Sequence, residues 1–197
     1  MAAAPPQAPA ATAPRAASAA RAASQSSLLG ALVANGYGDL PVDDIIYLKN
    51  TGITGDYLSS FVKAWGKVPA RELAEARKHG LVAEYAGRMR AAGLKDLTLR
   101  GAIDLRNHGV DPEQLRQIHA LGFGPYTVQD AIELRRYGVS SDLFRGLKES
   151  GFTQPELRDV IQARMNGLRA EHLREAAKIG SSLTLRQIIR LKQAGVI

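Results

Sequence analysis

The sequence predicts an all-α chain: tandem αα-hairpins of about 29 residues stacked as a short solenoid, behind an N-terminal tail. Three observations carry this. Gly52, Gly80, Gly109, Gly138, Gly167 and Gly195 recur at intervals of 28, 29, 29, 29 and 28, and each is followed by an aliphatic residue. A second series, Gly36, Gly66, Gly93, Gly122, Gly151 and Gly180, interleaves with the first. Apolar residues then recur at helical spacing between the glycines, so each unit reads as two short helices.

Residues 1–27 come first. They are rich in Ala, Pro and Ser and hold no large apolar side chain beyond Met1, so they offer nothing to bury and read as a disordered tail. No apolar core of a secretory signal is present, and the prolines argue against an amphipathic transit helix. A half unit follows at 28–36, then full units at approximately 41–66, 69–93, 98–122, 127–151 and 155–180, and a partial unit at 183–197.

Within each unit the first helix is expected over 42–51, 70–79, 99–108, 128–137, 156–166 and 184–194. Thr127 with Asp130, and Thr184 with Gln187, have capping-box spacing. Pro41, Pro69 and Pro155 suit first-turn positions, where a missing N–H costs nothing. Each first helix should end at a glycine of the first series, a structural turn that needs a left-handed residue. Second helices are expected over 28–35, 54–65, 82–92, 111–121, 140–150 and 169–179, with Thr54, Asp111 and Ser140 as caps. Counting from each first glycine, positions −10, −7, −6 and −4 form the apolar arc of the first helix, and +5, +6, +9 and +12 that of the second. Helices this short do not persist alone, so packing between units must supply the stability.

Composition bounds the function. The chain has no cysteine, which excludes disulfides and thiolate chemistry, and no apolar run of the ~18 residues that span a bilayer. The net charge is +7; with Arg15 and Arg21 set aside, residues 28–197 hold 24 basic and 19 acidic side chains. So mild an excess permits a polyanion partner without requiring one.

Segments such as 102–123 (AIDLRNHGVDPEQLRQIHALGF) and 131–152 (AIELRRYGVSSDLFRGLKESGF) carry a pattern of leucines, arginine and HGV-like turns. They resemble the short helical repeats in the extracytoplasmic tails of bacterial BlaR1-like peptidases and related membrane-anchored regulators. The resemblance covers residues 28–197, matching at the glycines and aliphatics; the motif's proline stands only at Pro112 and its histidine only at His79 and His108. It implies a bacterial sensing or interaction region in a regulatory or envelope protein, possessing nothing of a peptidase's HExxH half.

Four polar columns repeat. Position −3 holds Lys49, Arg77, Arg106, Arg135, Arg164 and Lys192, a structural basic column in the last turn of each first helix. It falls inside the apolar arc, so the stems should be partly covered and the heads should bond carbonyls or carboxylates. Position +4 holds Asp56, Glu84, Glu113, Asp142 and Glu171, three of them followed by an arginine three residues on. Carboxylates spaced one repeat apart do not converge on one site. The outer side of the second helices carries Arg88, Arg90, Arg116, His119, Arg145, Lys148, Arg174 and Lys178, a candidate binding stripe whose plainer reading is a solvated charged face. His79 and His108, with Tyr137, sit beside the first glycine and read as helix caps. No catalytic, cofactor-binding or metal-binding set is expected. The leading expectation is a non-enzymatic scaffold that binds a protein partner; the alternative is binding of nucleic acid or another polyanion along the stripe.

Overall fold

The computed structural model describes residues 27–179 and 183–197; the tail reading of 1–26 and the turn at Gly180 lie outside them. Among the described residues there are twelve α-helices and no strand. They are α1 Leu28–Ala34, α2 Val42–Asn50, α3 Gly55–Trp65, α4 Ala70–Lys78, α5 Ala83–Ala91, α6 Leu99–Asn107, α7 Pro112–Ala120, α8 Val128–Arg136, α9 Ser141–Glu149, α10 Leu157–Met165, α11 Ala170–Ile179 and α12 Leu185–Gln193. The even-numbered helices from α2 are the first helices of their units, and the odd-numbered ones are the second.

Local chemistry explains the boundaries. Thr54, Asp111 and Ser140 each accept a backbone N–H of the following turn. Both capping boxes form, at Thr127–Asp130 and Thr184–Gln187. Pro112 occupies the first turn of α7. Pro41 instead sits at the N-cap of α2, and Pro155 precedes the N-cap residue Glu156 of α10. There the ring's fixed φ directs the chain into the helix without taking part in it.

At the other end glycines close most of the described helices by a pair of backbone hydrogen bonds, while α3 ends with a single bond from the Gly66 N–H to Val62 O. The Gly109 N–H donates to Arg106 O and the Val110 N–H to Leu105 O, at 3.1 and 3.0 Å, the Schellman pattern. The same pair recurs at Gly52, Gly138, Gly167 and Gly195, and in the second series at Gly36, Gly93, Gly122 and Gly151. The φ at Gly109 is +64°, which a side chain would resist. The following aliphatic drops into the core: Ile53, Leu81, Val110, Val139 and Leu168 are all buried.

Two compact units appear, residues up to 77 and residues 78–197. In the first, α1 packs on α3. In the second, equivalent helices stack on one another: α5 on α7, α7 on α9 and α9 on α11 make one row, while α6 packs on α8 and α10 on α12 in another. This is the adjacency of a helical-repeat solenoid. The +6 column (Leu58, Ala86, Leu115, Phe144, Leu173) and the +9 column (Phe61, Met89, Ile118, Leu147, Ala176) are buried throughout. The +12 column departs from expectation: Ala92 is buried, Leu121 and Ser150 are half-buried and Ile179 is exposed, because it lies in the helix's last turn at the solvent edge.

Candidate interaction surface

Four of the six residues of the basic column at −3 form an inter-repeat clasp; Lys49 and Arg106 do not, and nothing lies within 4 Å of the Cβ position at Gly80. Arg77 Nε donates to Gly52 O at 3.1 Å, and Arg164 Nε donates to Gly138 O at 2.9 Å. Arg135 lies beside Gly109, and Lys192 beside Gly167, in the same register. Each cation reaches back one unit to the turn that ends the preceding first helix. Arg77 also covers the ring of Tyr57, 5.1 Å from its centroid, and Arg106 the ring of Tyr85 at 5.6 Å. Heads on carbonyls were expected. Covered stems were not found generally: Arg77 and Lys192 are half-buried, but Lys49, Arg106, Arg135 and Arg164 are exposed. The helix ends here, so position −3 emerges from the packed arc at the turn.

A second inter-repeat set stands at +5, which pattern reading assigned to the apolar arc alone. Tyr85 donates its hydroxyl to Val110 O at 2.9 Å, and the Gln114 amide donates to Val139 O. Each reaches the carbonyl that follows the next unit's glycine. Burial pushes Tyr85 and Tyr57 up to about 12, against the opposing pull of Arg106 and Arg77. Further up the helix ends, His79 Nδ1 lies 3.0 Å from Asn107 Oδ1, and Gln193 donates to Asn166 Oδ1 at 2.6 Å, the same two columns three units apart. His108 Nδ1 bonds the carbonyl of Asp104 in its own helix at 2.8 Å, as a cap does.

The stripe on the second helices is charge-mixed. Arg88, Arg116, His119, Arg145, Lys148, Arg174 and Lys178 are exposed, and Arg90, beside the fully buried Met89, is half-buried instead of solvent-facing. Arg116 grips Glu113 with two bonds, at 2.8 and 2.6 Å. That pairing, helped by Gln117, holds the Glu113 carboxyl down at about 2. Arg145 pairs with Asp142 at 2.8 Å. The expected Glu171–Arg174 pair gives way to another: Arg174 bonds Glu149 of the preceding unit at 2.8 Å, and Glu171 faces Arg169 at 3.7 Å. Stacked second helices place Glu149 within reach, and a side chain chooses the better-aligned oxygen. Three stripe arginines are therefore tied to carboxylates on their own face.

An open cleft of about 610 Å³ lies in the second unit, between the junction 93–97 and the segment 125–128. Leu94, Leu97, Pro125, Tyr126 and Val128 supply its apolar wall, with Lys95, Asp96 and His119 at hand. Tyr126 is braced edge-on against the buried Phe144, 6.2 Å between centroids, and its phenol is pushed up by burial. The signal for this cleft was in the sequence. Position −12 reads Leu40, Val68, Leu97, Tyr126, Pro155 and Leu183, an apolar column in the loops that helical periodicity does not cover. Two smaller grooves lie along the −3 column, a polar one with Arg145, Arg164, Arg169 and Arg174 and a mixed one with Arg88, Arg106, Val82 and Tyr85. Among the described residues no three His, Cys, Asp or Glu side chains gather closely enough to hold a metal ion. Nor, among the described residues, is any helix long and apolar enough to cross a membrane.

Compared with known proteins, the chain matches no family model and no curated protein.

Proposed function

We propose that this chain is a non-enzymatic helical-repeat module that docks a protein partner, in the bacterial regulatory or envelope setting implied by its resemblance to the repeat tails of BlaR1-like regulators. The observation that carries the reading is the cleft at 93–97 and 125–128: a preformed, mostly apolar concavity with a braced aromatic, the kind of surface that takes a partner's anchoring side chain. The competing polyanion reading is weakened by the ion pairs of Arg116, Arg145 and Arg174, which leave the second-helix face with alternating charge. No aromatic is interleaved with those cations for stacking on bases.

Two measurements test it together. A photoreactive residue at Thr127, on the exposed rim of the cleft, should yield a discrete protein adduct in cells expressing the full chain, lost when Val128→Arg blocks the cleft. Anisotropy titrations with duplex DNA and with heparin should show weak binding that adding salt removes. Tight polyanion binding with a log–log salt slope that falls on charge reversal of Arg116 and Arg145, and no cleft-dependent adduct, would reverse the assignment.

A further inference from the structure

An open groove of about 430 Å³ lies between the start of α9, the end of α10 and the start of α11. Three helices and a turn bring four arginines to its wall: Arg145, Arg164, Arg169 and Arg174. Only two carboxylates share the lining, Asp142 and Glu171. Like charges gathered in one concavity repel each other unless something neutralises them. Asp142 holds Arg145 at 2.8 Å, and Glu149, which is not part of the lining, holds Arg174 at 2.8 Å. The other two cations are met differently. Arg164 bonds the neutral carbonyl of Gly138, and Arg169 Nη1 stands 3.7 Å from Glu171 Oε1, too far for a hydrogen bond.

The equivalent groove between α5, α6 and α7 is an internal control. It sets Arg88 and Arg106 against Glu84 and Asp111, an even balance. The two grooves differ most sharply at +2, the residue just before each second helix, which is Asp111 in one and Arg169 in the other. Thr54, Val82 and Ser140 hold that position in the remaining units, so Arg169 is its one cation. Arginine is locally the wrong residue there. It has only donors, so it cannot cap as Thr54, Asp111 and Ser140 do, and its charge opposes the helix dipole. Only the reverse half of a capping box forms, the Arg169 N–H donating to His172 Nδ1 at 3.0 Å. Such a break in local consistency is expected where a residue serves function. The wider field agrees: residues 155–197 hold eight basic and four acidic side chains, which is most of the excess in 28–197.

We propose that this groove binds a phosphate group, as the free ion or as a soluble monoester. Arginine forks match phosphate oxygens in shape and charge. Arg164 and Arg169 bring positive charge that no carboxylate oxygen meets at hydrogen-bond distance among the described residues. Arg145 and Arg174, each bound to a carboxylate through one nitrogen, add their remaining N–H groups. A site this small takes one phosphate and not a nucleic-acid strand, so it is separate from the stripe, and it is independent of the partner cleft.

Isothermal titration calorimetry on the full chain, in Tris buffer of fixed ionic strength, tests it with inorganic phosphate and with phosphoserine. Both should bind saturably at one site per chain, and the tighter of the two names the source. Arg169→Ser should weaken binding at least about tenfold. It should also raise the melting temperature in phosphate-free buffer, because serine caps a helix and the opposing charge is gone. If the melting temperature falls instead, Arg145→Gln decides: at an exposed site, it should weaken binding and leave the melt unchanged. Arg158→Gln, on α10 outside the groove, should bind as the wild type does. Affinity unchanged by both Arg169→Ser and Arg145→Gln would overturn the proposal. So would acetate binding as tightly as phosphate, or no saturable binding below about 10 mM.

Discussion

Arg164 Nε donates to the carbonyl oxygen of Gly138 at 2.9 Å, tying the last turn of α10 to the turn that ends α8. A left-handed glycine leaves that carbonyl open to a neighbour, and a cation in the last turn of the next first helix is already favoured by its own dipole. Arg164→Met should therefore lower stability by about 0.5–1 kcal/mol, the lower part of the usual range for a hydrogen bond because the group is exposed. Arg136→Met, at an exposed position in the last turn of α8 without such a bond, should stay within about 0.5 kcal/mol of wild type. Urea denaturation of both variants separates them; equal effects would remove the clasp from the account.

Three glycines should respond to alanine in different directions. Gly138 has φ +62° and room for a methyl group, so Gly138→Ala should cost about 1–2 kcal/mol from the backbone alone. Gly146 is buried in α9, and a Cβ there would stand 2.7 Å from the Cα of Ala170. Gly146→Ala must push α9 and α11 apart and should cost about 1–3 kcal/mol. Gly87 is an exposed position inside α5 with nothing near its Cβ direction, so Gly87→Ala should stabilise by about 0.5–1 kcal/mol. Urea midpoints of the three variants give the order.

Tyr85 governs part of the alkaline limit. Its phenol is held up at about 12 in the folded chain against 10.0 ordinarily, so the folded state keeps a proton that the unfolded state releases. A raised value means full stability below 10.0 and a decline as pH rises from there toward about 12. Tyr85→Phe should cost about 1 kcal/mol at neutral pH, through the lost bond to Val110 O, and should flatten that decline. Tyr57 behaves alike and keeps part of the slope. Thermal melts across this range, wild type against variant, check the sign.

Freeing the stripe should create a property the wild type lacks. Glu113→Gln, Asp142→Asn and Glu149→Gln together release Arg116, Arg145 and Arg174. The triple variant should bind duplex DNA more tightly and with a steeper salt dependence. The melt should move little, because all three pairs are exposed to solvent. The Glu113 contribution is present at neutral pH and fades only as the pH falls toward about 2. Unchanged DNA binding would mean that the acids do not silence the stripe.

Helix ends were legible almost to the residue: α6 was expected over 99–108 and runs Leu99–Asn107, and α9 over 140–150 and runs Ser141–Glu149. Caps and closing glycines act within a few residues of chain, so their chemistry is visible in one dimension. The cleft was less so, because Leu97 and Tyr126 lie in loops where helical periodicity has no voice. Arg174 was assigned to Glu171, its neighbour along the helix, and chose Glu149 across the stack.

The sequence by itself determined the all-α class, the unit length, the order of the helices and the left-handed turns, since periodicity, capping and glycine stereochemistry are local. Tertiary structure alone decided which helix lies on which, that Arg164 meets Gly138, and that Tyr85 meets Val110. Those facts depend on side chains about 25 or more residues apart coming into register, and register is set by packing between units.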